Sequence, residues 1–342
     1  MQKNQKIALI LLGVGVLVSA LLALSIGAVR ILPLAWFSQW LEGSTELAGS
    51  SSTILWGIRF PRVLIALLVG AGLATSGTAL QGIFRNPLAD PSIIGLSAGA
   101  AMAASVFIVC IGWFSFDIIA EVSQFSMAMV TFLGAAITAW MVFKIAKSKT
   151  GTIVITMLLA GIAMNALASS FIGMMSFLAD ESQLRTLTFW TLGSLGGSNF
   201  LILAFMVPLC ALGMFGLFRL HKPLNALALG EQEAAQLGIK VESLKRQVVL
   251  FSSLLVGATV AFCGIIGFIG LVIPHIIRMI GGPDHRYLFP ASALAGGILL
   301  LWADTFSRTV VAPAEVPIGV VTALVGAPVF LVLIYQKKKE ML

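Results

Sequence analysis

The stretch RFPRVLIALLVGAGLATSGTALQGIFRNPLADPSIIGLSAGA, residues 59–100, decides how this chain is built. From Val63 to Phe84 it carries no charged residue, enough for the about 20 apolar residues that a helix needs to cross a bilayer. Asn86-Pro87-Leu88-Ala89-Asp90-Pro91 then interrupts it. Pro87 and Pro91 cannot sit in a continuous helix, because each lacks a backbone donor and crowds the turn before it. The chain therefore crosses the membrane, makes a fixed turn and starts back. That turn is either a plain connector or a constriction. Gly70, Gly72, Ala74 and Gly77, with Gly95-x-x-x-Gly99 beyond the turn, let helix backbones approach where no hydrophobic drive pushes them together.

The rest of the chain repeats this character. It has 342 residues, 59% hydrophobic and only 10% charged, with a mean hydropathy of +1.03. Soluble domains carry roughly 25% charged residues, so a water-soluble fold is excluded. Ten apolar runs emerge, at 7–29, 60–83, 92–114, 123–143, 153–178, 199–218, 247–263, 267–281, 288–307 and 316–335. The fold class is an all-α integral membrane protein of about ten transmembrane helices, read as one transmembrane domain over 1–342. The seventh and eighth runs are short and Gly-rich, so broken or tilted helices are expected there. The first run follows Lys3 and Lys6 like a signal peptide, but it is long for one and no convincing cleavage site follows. It reads as a retained helix.

Ten crossings put both termini on one side. With the N-terminus inside, 16 of the 21 Lys and Arg residues fall on inner segments and five, Arg30, Arg59, Arg62, Arg185 and Arg308, fall outside. The positive-inside rule then places both termini in the cytoplasm. The net charge of +7 belongs to these loops and indicates no nucleic-acid partner. A possible inverted repeat links Val69-Gly70-Ala71, Ala74, Gly77 and Pro87 to Val256-Gly257-Ala258, Ala261, Gly264 and Pro274.

Enzyme chemistry finds no support. There is no GxxxxGK[ST] phosphate loop and no HExxH. His221, His275 and His285 share no metal-ligand spacing, and Cys110, Cys210 and Cys263 lie singly in apolar runs. No catalytic or metal site is expected. Asp304 is the one acid inside a span, with Arg308 four residues on, a spacing that pairs them on one helix face. Residues 223–246 read as two short amphipathic helices, one ended by Gly238 and one begun at Val241, displaying Glu231, Glu233 and Glu242 to a soluble partner's groove. Residues 179–198 read as a short interfacial or re-entrant helix. Arg59 and Arg62 flank Pro61, and with Arg308 they break the charge rule. They either cap helix ends and snorkel or meet an anionic partner, for which arginine's bidentate fork is suited.

Residues 59–100 resemble the signature of the FecCD-type permeases, the membrane subunits of binding-protein-dependent ABC importers for iron-siderophores, haem and cobalamin. ALGEQEAAQLGI (228–239), GIIGFIGLVIPHIIRMIGGPDHRYLFPASALAGGILLLWADTFSR (264–308) and EVPIGVVTALVGAPVFLVLI (315–334) resemble the same family, in family order. The resemblance covers nearly all of the chain from about residue 55. It implies a type II ABC importer permease fold in the bacterial cytoplasmic (inner) membrane. It also implies a second permease subunit, identical or paralogous, two ATPase subunits below and a periplasmic or lipid-anchored substrate-binding protein above. The chain itself would bind no cofactor, with ATP and Mg held by the ATPase. Glu231, Glu233, Ala235 and Gly238 would meet that ATPase. Asn86, Pro87 and Leu88 with Thr150 and Thr152 would form the cytoplasmic gate. Met157, Gly161, Asn165 and Ser169, with the start of span ten, would face the pathway, and Arg59, Arg62 and Arg308 would meet glutamates on the binding protein. A stand-alone ion- or proton-coupled secondary transporter is the alternative. It would explain the spans but leave the coupling-like loop and the outer arginines idle.

Overall fold

The computed structural model describes residues 2–27, 52–111, 120–149 and 151–341; Arg30 and Thr150 lie outside the described residues. The described residues form thirteen α-helices and one two-stranded hairpin. Helix α1 spans Lys3–Ser25. A π-helical stretch, Thr53–Arg59, runs into α2 (Phe60–Phe84), and a 3₁₀ turn, Pro91–Ile94, leads into α3 (Leu96–Ile111). Helix α4 (Ala120–Ala146) ends in the hairpin of β1 (Lys147–Ser148) and β2 (Gly151–Thr152), which opens α5 (Val154–Leu178). Next come α6 (Glu181–Leu192), α7 (Phe200–Arg219), and the short α8 (His221–Leu227) and α9 (Glu231–Gln236). Helices α10 (Val241–Cys263), α11 (Ile269–Gly281), α12 (His285–Ser307) and α13 (Ile318–Met341) complete the chain.

Seven helices are long and apolar enough to cross a membrane, and three shorter apolar ones, Leu96–Cys110, Ile269–Gly281 and Ile318–Leu333, join them. These ten correspond one to one with the ten runs read from the sequence. Large apolar side chains stand on the outside of the bundle, with Phe177 at 88% exposure. That inverts the pattern of a water-soluble fold and suits a surface solvated by lipid.

Helix α2 is the axis of the bundle. Of its most apolar stretch 78% is buried, against 11% for α1. It packs on α12, α10, α11 and α7. Its glycines permit this: a Cβ at Gly70 would run into the Gly296 carbonyl of α12, and one at Gly77 into the Gly270 carbonyl of α11. Contact between backbones maximises dispersion attraction where lipid offers no hydrophobic drive. Helix α1 lies along α12, held by a hydrogen bond from Trp302 Nε1 to Ser19 Oγ at 3.1 Å.

Three expectations need revision. The seventh span is not shortened or broken: α10 starts at Val241, six residues before 247, so the second short helix expected within 223–246 is its first turn. Residues Val241–Arg246 look like loop by hydropathy, but Glu242 and Lys245 find partners within the fold and the helix continues. The eighth span is short, as expected. At 13 residues it is about 20 Å long, and it follows the non-helical segment Gly264–Phe268. The repeat correspondence holds through Ala74 and Ala261, all helical, and then lapses. Gly77 lies inside α2 while Gly264 (φ 69°) ends α10, and Pro87 lies in a turn while Pro274 lies inside α11.

Candidate functional site

Polar chemistry concentrates at the two ends of α2. Arg62 and Phe84 are 22 residues apart in one helix, about 33 Å along its axis.

At the first end Arg62 uses its whole guanidinium. Its Nε donates to both oxygens of Asp304 at 3.0 and 3.1 Å, and Nη2 donates to Asp304 Oδ1 at 2.8 Å. Nη1 and Nη2 also donate to the Glu315 carboxylate at 2.7 and 2.9 Å. Arg62 thereby ties α2 to α12 and to the loop before α13. Asp304 is fully buried, and the hydrogen bonds from Arg62 hold the Glu315 carboxyl below its usual range. Arg308 reaches Asp304 at 3.7 Å and donates to the Ala23 carbonyl, while Arg59 Nη1 donates to the Leu24 carbonyl at 2.7 Å. Both cations therefore sit at the C-terminus of α1, where unpaired carbonyls and the helix dipole favour positive charge. Close by, the ends of α6, α10 and α13 are joined: Ser194 N–H donates to Cys263 O at 2.9 Å and Ile318 N–H to Gly193 O at 3.1 Å.

Arg59, Arg62 and Arg308 are all buried in this chain. They are 4%, 6% and 9% exposed, and each serves acceptors of this chain. The helix-capping alternative describes Arg59 and Arg308. Sequence reasoning paired Asp304 with Arg308; its nearer partner is Arg62, 242 residues away, and Glu315 was missed altogether. Arg62 opening one apolar run and Asp304 closing another was the available hint.

At the other end, Arg85 takes a left-handed conformation (φ 48°) that turns the chain out of α2. Asn86 Oδ1 accepts the Leu88 N–H at 3.0 Å, closing an Asx turn that includes Pro87. The β1–β2 hairpin pairs Lys147 with Thr152 and Ser148 with Gly151. Thr152 is gripped by α10: its N–H donates to Glu242 Oε2 at 2.8 Å and its Oγ1 to Glu242 Oε1. Its carbonyl accepts from Lys245 Nζ at 2.9 Å, and the same ammonium pairs with Glu231 of α9 at 2.8 Å. Sequence reasoning missed Lys245, although its place one turn after Glu242 on the same helix face was legible.

Helix α9 stands out from the bundle between two glycines in backbone conformations that side chains resist, Gly230 (φ 142°) and Gly238 (φ 82°). Only Ala234 on it is buried. Glu233, Ala235 and Gly238 are exposed, and Leu229 and Leu237 flank the helix at 69% and 63% exposure. Glu231 differs from these: it faces Lys245, not solvent alone.

The four residues expected on the pathway divide. Met157 is fully buried, and a Cβ on Gly161 would strike the Ile93 carbonyl. Asn165 Nδ2 donates to the Ser92 carbonyl at 3.1 Å, and Ser169 alone is exposed. That face of α5 packs on the 3₁₀ turn, so Met157 and Gly161 are packing residues of this chain. The opposite face, with Leu159, Ile162 and Ala166, is the open one.

Ten apolar helices pack around one buried axis, and an exposed helix outside them is braced through Lys245 on the β1–β2 hairpin: the architecture is that of a polytopic membrane domain. The chain belongs to the FecCD transport family, whose profile matches residues 15–336. It is 40% identical over 335 residues to the hemin transport system permease protein HmuU of Yersinia pestis, covering 97% of each chain. It is 38% identical over 291 residues to the cobalamin import system permease protein BtuC of Halobacterium salinarum, covering 84% of this chain and 75% of the relative. A solved inward-facing structure of a metal-chelate type ABC transporter superposes with a TM-score of 0.82 at 33% identity, covering 97% of this chain and 99% of that one. PsaBC from Streptococcus pneumoniae, at 16% identity and a TM-score of 0.52, shares the fold alone. The fold is that of a type II ABC importer permease, and the chain is a multi-pass membrane permease.

Proposed function

We propose that this permease carries an iron chelate, a ferric siderophore or haem, or the related cobalamin, inward across the bacterial cytoplasmic membrane. It works with a second permease subunit, two ATPase subunits that hydrolyse ATP and a substrate-binding protein. Both termini and α9 lie in the cytoplasm. The observation that carries the reading is α9: a helix outside the apolar bundle with Ala235 and Gly238 open and Leu229 and Leu237 exposed. A helix of this shape fits a groove on a soluble partner. The names of the relatives support a bulky metal chelate as cargo. Asn86, Pro87 and Leu88 with Thr150 and Thr152 are the gate in this reading. Docking of the binding protein on Arg59, Arg62 and Arg308 belongs to it as well, and requires its carboxylates to compete with Asp304, Glu315 and the α1 carbonyls for those cations.

The test is co-expression with the ATPase and binding protein, purification of the complex and reconstitution into liposomes. ATP-driven uptake of haemin, a ferric siderophore or cyanocobalamin is expected. Uptake driven by an ion gradient with no ATPase bound would overturn the reading.

A further inference from the structure

We infer that Lys245 is the positioning residue that transmits movement of α9 to the gate hairpin. The inference rests on the permease function proposed above and names the part of this chain that couples it to ATP.

The Lys245 side chain is 3% exposed. A buried ammonium is costly unless its donors are taken. Here it has two partners on two different elements, the Glu231 carboxylate of α9 and the Thr152 carbonyl of the hairpin, at 2.8 and 2.9 Å. If α9 is displaced, Glu231 moves with it. The ammonium then follows its counter-ion and leaves the Thr152 carbonyl, or stays with that neutral acceptor and loses its ion pair with Glu231. Either way the change at α9 is felt at Thr152. Lysine suits this task, because its flexible four-carbon stem lets a compact charge shift between acceptors, whereas arginine's planar fork is more rigid.

Thr152 is placed to pass the change on. Glu242 holds its N–H and hydroxyl, so all three of its polar groups are held by the first two turns of α10. Val154, two residues later, begins α5. A cavity of about 540 Å³ adjoins the junction, lined by Arg85 at the end of α2, by Thr152 and Ile153, and by Glu231, Glu242 and Lys245. Packed interiors resist small shifts, and here there is room for one. An ordinary buried ion pair would merely brace the loop. It would not change how much uptake each hydrolysed ATP drives, and that ratio separates the two roles.

The experiment uses the reconstituted complex with its ATPase and binding protein, with haemin as the transported probe. Two quantities are read: uptake per ATP hydrolysed, and the mobility of a nitroxide attached through Ser148→Cys on the exposed β1 strand, with and without ATP and vanadate. Lys245→Met should leave ATP hydrolysis within about twofold of wild type, lower uptake per ATP at least about fivefold and abolish the nitroxide response. Lys245→Arg, which keeps donors for both acceptors, should recover much of the ratio. An unchanged ratio in Lys245→Met overturns the inference, including the case where uptake and hydrolysis fall together. If Lys245→Met does not assemble, Lys245→Gln decides by the same ratio, since it keeps a donor for the Thr152 carbonyl and leaves its former counter-ion, the half-exposed Glu231, to water. A wild-type complex that shows no ATP-driven uptake of haemin, a ferric siderophore or cyanocobalamin refutes the permease function instead.

Discussion

Replacing Arg62 by Met tests whether the buried cluster at the start of α2 is structural. The substitution keeps an unbranched apolar stem and removes five hydrogen bonds, three to Asp304 and two to Glu315. Glu315 is 40% exposed at its side chain, so water replaces much of what it loses. Asp304 cannot be rescued that way. It is fully buried, and its remaining cation, Arg308, stands at 3.7 Å, beyond hydrogen-bonding range. Stranding a buried charge costs about 3–5 kcal/mol, whereas removing both partners of a pair is close to neutral. Arg62→Met should therefore lose about 3–5 kcal/mol of stability, and Arg62→Met with Asp304→Leu should recover most of it. The assay is unfolding in mixed micelles by SDS titration, run on both single variants and the double. An exposed arginine waiting for a partner would cost only about 0.2–1 kcal/mol on removal. A loss that small, or a double variant no more stable than Arg62→Met, would refute the internal pairing and return Arg62 to the surface.

Ala235→Arg should leave the bundle folded, because α9 lies outside it, while preventing co-purification of the ATPase; a stoichiometric, active complex would count against the docking role of α9. Gly70→Val should destabilise the chain by about 1–3 kcal/mol or more through overpacking, since its Cβ meets the Gly296 carbonyl and backbone cannot yield as a side chain can; a melting temperature equal to wild type in detergent would contradict the α2–α12 crossing. Lys240→Cys, at an exposed position, should resist an impermeant thiol reagent added to intact cells and react in inverted vesicles, and labelling from outside would reverse the topology.

The sequence by itself determined the ten crossings and the family. Both follow from one-dimensional properties: uninterrupted apolar length, prolines that stop helices and motifs in fixed order. It also marked α9, because Gly238 can end a short helix that displays Glu231 and Glu233; the structure adds Gly230 at the other end, both glycines in conformations that side chains resist. The start of α10 was misjudged because hydropathy registers what Glu242 and Lys245 are, and not that Thr152 and Glu231 satisfy them. The inward face of α5 is a related case: Met157, Gly161, Asn165 and Ser169 share a side of the helix, but periodicity cannot say which side meets the 3₁₀ turn. What only the tertiary structure decided was the pairing of charges. Arg62 could have faced a partner protein, lipid headgroups or its own chain, and nothing local separates these outcomes. Packing α2 against α12 brings its guanidinium within 2.8 Å of Asp304, and a buried carboxylate binds the nearest buried cation however far apart they lie in sequence, because the low-dielectric interior leaves both charges no cheaper partner.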